Sequence, residues 1–216
     1  MATNIRSYEE IDKLQQLDGV RISEIERRAR PGMYAISGFL GSHELLKDVL
    51  KKDWQTVRRL GTTHIELANK INAIWEKCSY GRTKIILHTS TSPKPLLERA
   101  PFKLATLIFL VSAIAIVIFN NPLGWFGVCL AVSFALLALS KMQILLVSHS
   151  AYRGMQEDIF GDKGWNSEIS ILNLLNLKQI KIAAGAVDYI KKFGFYEGGG
   201  DQNPYRVDPA RLTVII

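Results

Sequence analysis

The residues best suited to chemistry lie near the C-terminus, in Gly194-Phe195-Tyr196-Glu197-Gly198-Gly199-Gly200 and in Asn203-Pro204-Tyr205-Arg206-Val207-Asp208-Pro209. Three consecutive glycines permit a sharp turn, and the prolines flanking Tyr-Arg-Val-Asp hold that part extended. Tyr196, Glu197, Tyr205, Arg206 and Asp208 are therefore candidates to line a ligand groove. The same residues have an internal use: the segment docks the C-terminus across the domain, with tyrosine packed and Arg206 paired with an acid. Arg30 joins the candidates from a second place. Arg30-Pro31-Gly32 and Ser37-Gly38-Phe39-Leu40-Gly41 lead into a helix near Ser42, and amides at a helix start favour an anion. That loop matches neither the Walker pattern nor G-x-G-x-x-G, and a chain turn into a capped helix explains its glycines equally well.

The remaining polar groups form no signature. The histidines are His43, His64, His88 and His149, none at the i, i+4 spacing of metal ligands. His88 and His149, in IILHTSTS and LLVSHS, meet only if those segments are neighbouring strands. Glu157, Asp158 and Asp162 lack calcium-loop spacing. Cys78 sits in a polar stretch and Cys129 in an apolar run, so they form neither a disulfide nor a metal site and fit a reducing compartment. No metal, cofactor or catalytic residue is assigned, and whether the chain is an enzyme is left open. Val57–Ala68, VRRLGTTHIELA, has a helix–turn–helix rhythm with Arg58 and Arg59 nearby. Two amphipathic helices joined at a glycine are common without DNA, so nucleic acid is not an expected partner.

Several elements are legible around these residues. Leu45, Leu46, Val49, Leu50, Trp54, Val57 and Leu60 recur at helical spacing over 42–60, capped by Ser42 and ended by Gly61. Thr63-x-x-Glu66 has the form of a capping box opening a second helix, and 7–17 and 22–29 read as shorter helices. Glu168–Asn173 and Lys178–Ala183 alternate as a β-hairpin turning near Asn176. Ile85–His88 and the end of ILLVSHS are further strand candidates. Gly185–Phe193 reads as a helix stopped by Gly194, and Arg211–Ile216 as a last strand.

Charge and hydropathy point to a membrane. The mean hydropathy is +0.08, but no Asp, Glu, Lys, Arg or His occurs from Leu104 to Ser140. Runs at roughly Leu104–Phe119 and Leu123–Val147, separated by Asn120-Asn121-Pro122, approach the about 20 apolar residues a spanning helix needs. Residues 1–103 carry 18 Lys+Arg against 12 Asp+Glu, and 141–216 carry 9 against 8. Basic flanks and an uncharged turn place both termini in the cytoplasm. The polar N-terminus lacks the apolar core of a secretory signal.

The expected fold class is thus a membrane protein: a two-helix transmembrane hairpin inserted in a small cytoplasmic α+β domain. Its parts are a helical N-terminal part (1–101), the hairpin (102–147), and a C-terminal α+β part (148–216). Gly127, Ala131 and Ala135 give the second span a small-residue stripe for close helix packing, against the first span or in a homo-oligomer. The expected location is the cell (inner) membrane, multi-pass, with the lipid bilayer and a cytoplasmic protein as partners. The expected function is a membrane-anchored interaction module: an adaptor, sensor or effector. The alternatives are an oligomerising membrane-perturbing effector and a membrane-tethered ligand-binding enzyme using the 194–209 loop.

Overall fold

The computed structural model describes residues 8–89, 142–161, 164–198 and 203–216. By compactness the chain divides into Met1–Ile86 with Leu145–Ile216, and Leu87–Ile144. The first unit holds nearly all of the described residues, and the second falls almost wholly outside them.

Helices dominate the N-terminal half. α1 (Tyr8–Lys13) leads to a short ribbon of β1 (Gln16–Leu17) and β2 (Val20–Arg21), and α2 (Ile22–Ala29) follows directly. α3 (Leu46–Arg59) begins later than expected, with Leu45 rather than Ser42 at its N-cap position. α4 (His64–Glu76) opens on a complete capping box: the Glu66 amide donates to Thr63 Oγ1 at 3.1 Å, and the Thr63 amide donates to Glu66 Oε2 at 3.0 Å. Each half satisfies an amide that the first helical turn leaves without a partner.

A four-stranded sheet follows in the order β3 (Thr83–Thr89), β4 (Met142–Glu157), β5 (Gly164–Asn173), β6 (Lys178–Ala183). The β4–β5 and β5–β6 pairs are antiparallel, and β4 shifts register between Ala151 and Gln156. α5 (Ala184–Phe193) leaves β6 without a loop and ends at Gly194. Gly194 has φ +65°, the left-handed turn that terminates a helix and that glycine adopts without strain. α6 (Pro209–Ile215) closes the chain.

Alternate strand residues build the inner layer. Leu145, Val147, Ile169, Ile171, Ile180 and Ile182 face Leu67, Ile71 and Ile74 of α4, Ile190 of α5, and Leu212 and Ile215 of α6 in one buried cluster. Ile11, Leu17, Ile25, Phe39, Leu40, Leu46, Leu50 and Phe160 form a second. α5 belongs to both, giving Ala186 and Ile190 to the first and Tyr189 and Phe193 to the second.

Two expectations are corrected. Arg211–Ile216 is helical through Ile215, not a strand. Asp208 accepts from the Ala210 and Arg211 amides, and Pro209 stands where a helix start needs no donor. Those signals outweigh the β-branched content of the segment. The larger correction concerns the membrane. Among the described residues no helix is long and apolar enough to cross a membrane. The end assigned to the second span, Met142–Val147, is the start of β4. Its side chains alternate, Gln143, Leu145 and Val147 buried and Ile144 and Leu146 half-buried. An apolar strand core and a helix segment look alike in hydropathy, and strand pairing decided between them. The described fold is a small α+β domain. The transmembrane hairpin, the multi-pass cell-membrane location and the cytoplasmic placement of both termini are withdrawn on this finding. The rest of the proposed spans, with Gly127, Ala131 and Ala135, lies outside the described residues.

Candidate functional site

The segment running into α6 is tied down by two buried carboxylates. Asp53, on α3, is 1% exposed and receives Arg206 in a two-point contact, Nη2 to Oδ1 at 2.7 Å and Nη1 to Oδ2 at 3.5 Å. Burial pushes the Asp53 carboxyl up to about 6, against the pull of the Arg206 guanidinium. The pair is therefore ionised at neutral pH.

Glu197 is the second. It is fully buried, its backbone has φ +63°, and its Oε2 accepts from Asn203 Nδ2 at 3.0 Å. Oε1 has no partner. Burial raises its carboxyl to about 8, so it is protonated at pH 7. A charged carboxylate with an orphan oxygen in this position would carry a large desolvation penalty. Asn203 also approaches the carbonyls of Gly38 and Gly198. Gly38 has φ +71°, and a side-chain carbon there would fall 2.6 Å from the Pro31 nitrogen. The glycine loop predicted around Arg30 is thus the inner partner of the C-terminal segment. Arg30 itself turns away and donates to the Gly41 carbonyl.

Tyr196 is buried, its hydroxyl 3.0 Å from His64 Nδ1. Burial lowers the imidazole to about 4 and raises the phenol. A neutral ring therefore shares a hydrogen bond with a neutral phenol, the donor set by the tautomer of the imidazole.

Outside this anchor lies a cleft of about 930 Å³. Its walls are β6 (Lys178, Lys181), α6 (Arg211, Val214), Arg206 and Asp208 of the C-terminal segment, and Lys52 of α3. Lys52, Lys178, Lys181 and Arg211 are exposed and make no ion pair among the described residues. Arg211 Nη2 donates to the neutral Gln179 carbonyl at 2.7 Å and so keeps its full charge. Among the described residues Asp208 is the single carboxylate on the wall, and its Oδ1 holds the α6 amides. Cations crowded in a concave surface with low-dielectric walls reinforce one another and attract anions.

Of the candidate residues, Arg206 and Asp208 line the cleft, whereas Tyr196 and Glu197 belong to the interior behind it. Tyr205 is half-buried, and its amide donates to Asn203 Oδ1. Arg30 is apart from the cleft wall. No family model matches this chain, and neither the curated proteins nor the solved structures contain a match.

Sequence reasoning missed Lys52, Lys178, Lys181 and Arg211. Lys178 and Lys181 were visible as the basic positions of the second hairpin strand. Nothing local signals that Lys52, in a helix begun more than a hundred residues earlier, joins them. The histidines do not converge on a common site among the described side chains: His43 is exposed, and His149 Nδ1 is 3.3 Å from the Cys78 carbonyl with Trp75 and Tyr80 against its ring. No metal-type group of side chains occurs among the described residues. At the α3–α4 junction, Thr62 and Thr63 hydrogen-bond with Glu66, and His64 packs on Tyr196. The polar groups a groove reader would present are thus bonded to one another or packed on Tyr196.

Proposed function

We propose that this chain is an interaction module that receives an anionic ligand in the cleft between β6, α6 and the 203–208 segment. The observation that supports the reading is the charge imbalance of the wall: Lys52, Lys178, Lys181 and Arg211 stand unpaired among the described residues, against one carboxylate already engaged as a helix cap. Arg206 contributes shape more than charge, because Asp53 neutralises it.

The anchored segment suits binding. Asp53 and Glu197 fix the wall from behind, so a ligand meets preorganised groups and loses less free energy to ordering them. The ligand-binding enzyme reading draws less support, since Tyr196 and Glu197, its natural acid–base pair, sit behind the wall with partners of their own.

Titration of the full chain with inorganic pyrophosphate at low ionic strength tests the proposal. Binding should weaken steeply as salt is added, because exposed charges are screened within about 10 Å at 0.1 M. The Lys178→Glu/Lys181→Glu variant should lose it while melting normally. Pyrophosphate binding that is absent at low salt, or indifferent to the double substitution, sinks the reading.

A further inference from the structure

Resting on that reading, we infer that the ligand is an acidic polypeptide segment in extended conformation, which adds as a strand to the free edge of β6.

Three observations converge. First, among the described strands β6 is the last of the sheet, bonded to β5 on one side alone, and its residues line the cleft. Second, its outward backbone groups are identifiable. Lys178 and Ile180 stand opposite Asn173 and Ile171 in the antiparallel register, and Gln179 stands opposite Leu172. The Gln179 carbonyl points away from β5, because Arg211 reaches it from α6. Peptide groups of an edge strand alternate in direction, so the amide and carbonyl of Lys181, two residues on, point the same way. An incoming strand finds a repeating set of donors and acceptors there, as in strand-addition recognition generally.

Third, the side chains select the partner. Gln179 and Lys181 are exposed on one side of β6, while Ile180 and Ile182 are buried on the other. Lys178 is exposed at the strand's start, and Arg211 and Lys52 face the cleft from α6 and α3. Lysines on an edge discourage a second copy of the same strand, since lysine would meet lysine. They favour a strand bearing Glu or Asp at cross-strand positions. Arg211 then has two states. In the free protein it satisfies the Gln179 carbonyl; when a strand amide takes over that carbonyl, the guanidinium is released toward the ligand's carboxylates.

The hairpin tip extends the surface. Leu174, Leu175 and Leu177 are exposed beside Lys178, and Asn176 Nδ2 donates to the carbonyl of Val214, a cleft residue. A partner segment with an apolar residue at one end would cover this tip while its acidic stretch lies along β6.

The experiment uses the full chain and six probes at one low salt concentration: pyrophosphate, a peptide alternating Glu and Val, its Lys-for-Glu counterpart, the Glu–Val peptide N-methylated at every second amide in each of the two registers, and a single-stranded oligonucleotide. Methylation on the edge-facing register removes strand donors and leaves the charge unchanged, and both registers are made. The expected result is that the Glu–Val peptide binds, the Lys–Val peptide does not, and one methylation register weakens binding by roughly tenfold or more while the other leaves it intact. Charge reversal of Lys178 and Lys181 should reduce Glu–Val binding by a similar factor. Pyrophosphate binding without peptide binding overturns the inference and leaves the anion cleft standing. Silence from both probes removes both. Peptide binding indifferent to either methylation register overturns strand addition. A single-stranded oligonucleotide bound more tightly than the acidic peptide overturns the partner class.

Discussion

At the scale of residues, the buried carboxylates of Asp53 and Glu197 make opposite predictions. Asp53 depends on a partner. Removing Arg206 leaves a carboxylate at 1% exposure without its counter-charge. Arg206→Ala should therefore cost about 3–5 kcal/mol in urea unfolding. Replacing both residues with apolar side chains of similar size should cost much less, because no uncompensated charge remains. A double variant as unstable as Arg206→Ala would show that packing, not charge, is what the pair provides. Glu197 depends on a proton instead. Its folded-state pKa, about 8, lies above the ordinary 4.5. The folded chain thus holds a proton that the unfolded chain releases, and stability falls as pH rises from about 4.5 to about 8, then levels. Glu197→Gln mimics the protonated form and should flatten that part of the pH profile, melting near the parent at low pH and above it in mild alkali. A variant whose melting temperature still tracks the parent's across that window would assign the titration elsewhere.

At the scale of elements, caps and close approaches outweigh propensity. The capping box of α4 joins Thr63 and Glu66 in both directions, so Thr63→Ala should cost about 1 kcal/mol, read by thermal melting. Gly38 faces a stricter constraint, with a left-handed backbone and the Pro31 nitrogen 2.6 Å from where a side-chain carbon would lie. Gly38→Ala should destabilise by more than the about 0.4–1 kcal/mol that the same change contributes at sites able to accept a side chain. It should also loosen Asn203, whose side chain rests on the Gly38 carbonyl. Faster amide exchange at Tyr205 and Arg206 in that variant is the expected sign. Both the capping box and the Gly194 stop are local in sequence, and both were legible there. The last segment was misread because RLTVII has the composition of a strand, while Asp208 and Pro209, just upstream, carry the helix signal.

At the scale of the whole described unit, α5 joins two apolar clusters. Its successive faces place Ile190 against α4 and the sheet and Phe193 against Phe160, so neither cluster can lose its packing without exposing part of the other. Variants retaining only Trp54, packed on one cluster, or only Trp75, packed on the other, should report the same urea midpoint. Two separated midpoints would divide the unit into independent halves.

The sequence by itself determined what depends on near neighbours: the amphipathic spacing of α3 and α4, the capping box, the β5–β6 alternation, the glycine stop of α5. It also singled out the segment around Arg206, because glycine, proline and charge are concentrated there. It did not determine which helical residue would meet Arg206, since Asp53 lies 153 positions away and no local rule connects them. Nor did hydropathy separate a strand from a spanning helix over Met142–Val147: an apolar run records how much surface must be buried, not what buries it. Only tertiary structure set β4 beside β5, brought Lys52 to the cleft of β6 and α6, and put Tyr196 and Glu197 behind its wall. Burial and charge complementarity act between residues that the chain's path has brought together, and that path is a property of the fold as a whole.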